Sequence, residues 1–83
     1  MDNEIAQKDV RILLAEDYPI GQKVTIAFLE NAGFQVDLAQ NGLDAVELYE
    51  KNTYDLILMD IEMPLMDGYE ATKKIRLIEA EEM

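Results

Sequence analysis

Residues 54–68, YDLILMDIEMPLMDG, set a continuous apolar run, Leu56 to Met59, directly against a carboxylate, Asp60. Such a run, preceded by Tyr54-Asp55 and closed by a loop carrying Pro64 and Asp67-Gly68, is the pattern of a short strand covered on both faces. Strands of that kind lie inside parallel sheets, with helices above and below. An earlier stretch has the same form. Val10 to Ala15, VRILLA, is interrupted only by Arg11 and ends abruptly at Glu16-Asp17.

Working outward, Pro19 stands where the first turn of a helix accepts it. Ile20, Val24, Ala27, Phe28 and Ala32 then recur at helical spacing, which predicts a helix packed through that face and stopped by Gly33. Gln35 to Ala39, QVDLA, alternates as a half-exposed edge strand does. Asn41-Gly42 marks a turn, and Leu43, Val46 and Tyr49 carry a second helix to about Lys51. A third helix is expected from about Tyr69, with Ala71, Ile75 and Ile78 on one face, ending in an acidic tail from Glu79 to Met83. Residues 1–9 read as a polar leader and residues 10–83 as one partial domain.

The order β-α-β-α-β-α implies an α/β fold with parallel strands joined by right-handed crossovers. With the alternating strand at the edge, the strand order becomes 2-1-3. Two of the three strands nevertheless read as interior, whereas a three-stranded sheet has one interior position. Either a further strand lies beside LILM, supplied by this chain or a partner, or helices alone cover the extra edge.

The 83 residues suffice for one small domain, and 49% of them are hydrophobic, so a packed core is expected. Eighteen acidic residues against seven basic ones leave a net charge of −11. That surface argues against nonspecific nucleic-acid binding, which needs Lys and Arg on phosphates, and against anionic membranes. Neither a nucleic acid nor a membrane is therefore an expected partner. Cysteine and histidine are both absent, which excludes thiolate metal sites and a phosphohistidine carried by this chain. No stretch resembles a signal peptide or a membrane span, and the cytoplasm is the expected compartment.

Ligands of open α/β sheets sit beyond the carboxyl ends of strands, where the winding reverses. In a 2-1-3 sheet that point lies between the strands ending in Glu16-Asp17 and Asp60. Three clustered carboxylates repel unless a cation sits among them, and Mg²⁺, a hard ion that binds oxygen and bridges to phosphate, suits them. A carboxylate beside such an ion is also a plausible nucleophile toward phosphorus. Singly, each acid reads as a cap or a solvated loop charge.

The runs ILLAEDYPIGQK and NGLDAVELYEKNTYDLILMDIEMPLMDGYEATKKIR resemble the receiver domain of two-component response regulators. The receiver carried by hybrid sensor histidine kinases is the nearest version, and the likeness covers about residues 10–79. The resemblance implies a flavodoxin-like (CheY-like) fold of which only the first three βα units are present, and the naked edge of LILM leads to the expectation that self-association completes it. It implies that Asp60 is the phosphoacceptor and that Mg²⁺ is held by Glu16, Asp17, Asp60 and the backbone carbonyl of Glu62, with Met63-Pro64 shaping that loop. Asp67-Gly68 would start the third helix, Asp67 acting as a cap. The implied partner is a histidine kinase or phosphotransfer domain that donates a phosphoryl group to Asp60. No independent enzyme is expected.

Two departures stand out. Hybrid-kinase receivers usually carry E-D-N-x-x-N-Q where this chain has E-D-Y-P-I-G-Q, so Tyr18 and Gly21 replace both asparagines. Tyr18 bears on access to the acyl phosphate, and Gly21 costs about 1 kcal/mol of helix stability relative to Ala. Nothing here corresponds to the Ser or Thr ending the family's fourth strand or the Lys ending its fifth, and Lys73 and Lys74 do not substitute for that lysine. A switch impaired in this way, and a homodimer paired through the exposed third-strand edge, are therefore expected. The alternative is a non-signalling fragment serving as a dimerising, interaction or half-fold assembly module. An aspartate-nucleophile phosphatase is disfavoured, because those place D-x-D after the first strand, where this chain has E-D-Y-P.

Overall fold

The structure, a computed structural model, describes residues 9–61, 63 and 65–82. It contains β1 (Arg11–Ala15), α1 (Pro19–Asn31), β2 (Gln35–Ala39), α2 (Gly42–Lys51), β3 (Leu56–Met59) and α3 (Gly68–Glu82). Local chemistry sets the helix ends. Pro19 opens α1, whose end is closed by Gly33 in the left-handed region at φ 97°. Asn41 caps α2, its side-chain oxygen accepting from the Asp44 amide at 2.7 Å. Asp67 caps α3 in the same way, accepting from the Glu70 amide at 2.9 Å. Each cap satisfies an amide that the first helical turn leaves unpaired.

The sheet has the order β2-β1-β3, all parallel. In register, Ala15 pairs with Ala39 on one side and Met59 on the other. Side chains alternate across the sheet. Leu13 and Ala15 face α2, packing with Ala45, Met63, Ile57 and Met59. The adjoining cluster of Val46, Ala71 and Ile75 joins α2 to α3 and also meets Ile57 and Met59. Ile12 and Leu14 point to the opposite face, where Thr25 of α1 lines a cleft with Leu14 and Leu58. The helices are thus divided, α1 on one face and α2 with α3 on the other.

The packing of α1 differs from the sequence expectation. Ile20, Val24 and Phe28, expected to pack inward, are 60%, 63% and 71% exposed, and Ala27 is exposed as well. Ala32 lies at the helix's C-cap rather than within it. The helix is turned so that Leu29 is its buried residue, leaving the apolar stripe on the flank. Periodicity identifies an apolar face but not whether something covers it. The acidic tail is also helical, since α3 continues through Glu82. Among the described residues only β1 is interior: Ile12 to Ala15 are all buried, whereas Leu56 of β3 is 49% exposed. Among the described residues no strand lies beyond β3. The leader's residues 1–8 lie outside the described residues.

Away from the carboxylates, Arg11 at the start of β1, Asp37 in the middle of β2 and Tyr54 just before β3 are tied together. The Asp37 carboxylate accepts from the Arg11 guanidinium and from the Tyr54 hydroxyl, each at 2.7 Å. The guanidinium also stands 5.3 Å from the centre of the Tyr54 ring. Asp55 accepts from the Arg11 amide at 2.9 Å. Burial first, then the hydrogen bond to Asp37 and its charge, push the Tyr54 phenol up from 10.0 to about 12. The fold favours the neutral phenol, so its contribution is complete below pH 10 and is lost as pH rises through about 12. Urea unfolding across that window should show the parent losing more stability with rising pH than Tyr54→Phe does. Parallel pH profiles would contradict this role for Tyr54.

Candidate metal and phosphoacceptor site

The site lies at the carboxyl ends of β1 and β3. As β1 ends, the Glu16 amide donates to the Ala39 carbonyl and the Asp60 amide to the Ala15 carbonyl, both at 3.0 Å. These bonds extend the sheet one residue past its strands and fix where the acids emerge. Glu16, Asp17 and Asp60 each offer a carboxylate oxygen, and the three oxygens lie within 4.8 Å of one another. Asp17 is exposed, whereas Glu16 and Asp60 are half-buried. Among the described residues the ion pairs are Arg11–Asp37 and Arg76–Glu79, and neither involves the three acids. Like charges this close repel, and the oxygen-only donor set matches what a hard divalent cation takes.

The neighbouring loop is held close to Asp60. The Gly68 amide donates to the Ile61 carbonyl at 2.7 Å. A Cβ at Gly68 would collide with the Asp60 carbonyl, so glycine is what lets α3 begin against the end of β3. Met63 is buried in the main core and anchors the loop. The expected contribution of the Glu62 carbonyl, and Pro64 beside it, lie outside the described residues.

Sequence reasoning brought together Glu16, Asp17 and Asp60, and the fold does the same. It missed how Glu16 is held. The Gln22 side-chain amide donates to the Glu16 carbonyl at 2.6 Å, and the Tyr18 amide donates to the Glu16 carboxylate at 3.2 Å. The six-residue spacing from Glu16 to Gln22 was the available signal. The Tyr18 side chain is exposed.

This geometry accompanies a sequence match: residues 12–82 match the response regulator receiver domain family. The chain belongs to that family. Hybrid signal transduction histidine kinase B of Dictyostelium discoideum is 47% identical over 74 residues, covering 89% of this chain but 4% of that kinase. The receiver domain of the sensor histidine kinase PA1611 from Pseudomonas aeruginosa, solved with a magnesium ion in its active-site cleft, is 46% identical with a TM-score of 0.81. That match covers 82% of this chain and 56% of the solved one. The receiver of the Saccharomyces cerevisiae response regulator Ssk1, solved with the histidine phosphotransfer protein Ypd1, is 34% identical with a TM-score of 0.84, covering 88% and 50%. The receiver therefore spans about half of each of these solved chains and a small part of the kinase.

Proposed function

We propose that this receiver is a phosphoacceptor module of a two-component phosphorelay, with Asp60 taking a phosphoryl group from the phosphohistidine of a histidine kinase or phosphotransfer protein. The convergence of Glu16, Asp17 and Asp60 at the strand ends carries this reading. Having no histidine, the chain is the recipient. The three carboxylates suit Mg²⁺, the ion found in the active-site cleft of the similar PA1611 receiver supports that choice, and the Glu62 carbonyl is a further proposed ligand. When bound, the ion neutralises the carboxylates and the phosphoryl oxygens.

An Asp60 carboxylate oxygen attacks phosphorus in line. The P–N bond to the partner's imidazole breaks, its electron pair stays on the ring nitrogen, and an acyl phosphate forms on Asp60. Half-burial leaves Asp60 reachable while its backbone stays fixed to β1. The module works as a partner's acceptor rather than as an independent enzyme, in a cytoplasmic setting.

The apolar flank of α1 and the open edge of β3 favour a second reading, in which the chain serves chiefly as a dimerising or half-fold assembly module. Pairing of two β3 edges about a two-fold axis would be antiparallel.

Acetyl phosphate with Mg²⁺ should add one phosphoryl group to Asp60 by mass spectrometry and none to Asp60→Asn. Equal labelling of that variant would remove the phosphoacceptor role. Sedimentation should find a dimer at micromolar concentration that tightens with added salt, since each copy carries a charge of −11. A compact monomer at all salt concentrations would remove the dimer.

A further inference from the structure

We infer that Gln22 is a positioning residue that holds the peptide joining Glu16 to Asp17 and so sets the site's affinity for a divalent cation. The inference rests on the metal reading above and adds a residue outside the carboxylate cluster. Asp17 to Ile20 are all exposed, so packing does little to fix the turn that carries the Asp17 carboxylate. Hydrogen bonds to α1 hold it instead, and Gln22 makes two of them. Its backbone amide donates to the Tyr18 carbonyl at 2.9 Å, and its side-chain amide donates to the Glu16 carbonyl at 2.6 Å. Among the described residues no backbone amide serves that carbonyl. The Tyr18 amide in turn donates to the Glu16 carboxylate at 3.2 Å.

The Glu16 carbonyl and the Asp17 amide belong to one rigid, planar peptide. Fixing the carbonyl therefore fixes the direction in which the chain reaches Asp17. The Glu16 amide is pinned to Ala39 at 3.0 Å, yet rotation beyond it could still swing this peptide. Such a swing would carry Asp17 out of a cluster whose three oxygens lie within 4.8 Å of one another. The bond from Gln22 opposes that rotation, and the half-burial of Gln22 limits competition from water.

The test is Mn²⁺ binding, read from the electron paramagnetic resonance signal of the free ion, with Mg²⁺ as competitor. Two variants are compared with the parent. Gln22→Met keeps the length and neutrality of the side chain but loses the N–H donor. Gln22→Lys keeps a donor and adds a positive charge near an acidic site. All three residues have similar helix propensities, so α1 itself is little altered. Gln22→Met should weaken binding on the order of tenfold, as loss of a group that orients ligands commonly does. Its melting temperature in EDTA should stay close to the parent's. Gln22→Lys should bind more tightly than Gln22→Met, although its charge alone would repel the cation. A merely structural glutamine would move the melting temperature and leave the affinity of the folded protein unchanged. Parent-like affinity in Gln22→Met, or binding by Gln22→Lys no tighter than by Gln22→Met, overturns the inference and leaves the metal site standing. Parent-like binding by Asp17→Asn and Asp60→Asn overturns the metal reading, and this inference with it.

Discussion

The parallel pairing of β3 with β1 is the constraint on which the site depends, because it brings Asp60 to Glu16-Asp17 across more than forty residues of chain. Its last pair is Ala15 with Met59, and the following Asp60 amide still donates to Ala15. Strand side chains alternate, so a slip of one residue would turn Ile57 and Met59 away from α2 and α3 and bury Leu58 in their place. It would also move Asp60 along the sheet by about 3.3 Å, enough to disperse a three-carboxylate cluster. The apolar contacts of Ile57 and Met59 with both core clusters therefore hold the chemical register as well as the fold.

The charges on the sheet are compensated in one place and left uncompensated in another. Away from the strands' carboxyl ends, Arg11, Asp37 and Tyr54 satisfy one another in a compact group that includes a cation. At the carboxyl end, Glu16, Asp17 and Asp60 converge, and among the described residues no ion pair offsets them. The first arrangement contributes to folding without needing a ligand. The second gains most from an added cation, which is how binding at this end would raise stability by mass action.

Much of this was legible in the chain itself. The limits of β3, Leu56–Met59, follow from the flanking Asp55 and Asp60, and the 2-1-3 order from the contrast between alternating QVDLA and the two continuous runs. The carboxylate cluster followed from that order. The flank of α1 was not legible, because Ile20, Val24 and Phe28 have the same spacing whether or not a neighbour covers them. The bonds that hold Glu16, from the Gln22 side chain and the Tyr18 amide, were equally hidden, since neither follows from strand or helix periodicity.

The acids at the ends of β1 and β3 are proposed to form one specific divalent-cation site on a strongly acidic protein. Backbone amide spectra recorded with substoichiometric Mn²⁺ test it most directly, because paramagnetic broadening reports distance from the ion. Broadening should be concentrated at Ala15 to Tyr18 and Met59 to Ile61, with Arg11 and Asp55 at the far end of the sheet spared. Broadening centred on the acidic end of α3, Glu79 to Glu82, or spread evenly over the surface, would contradict it.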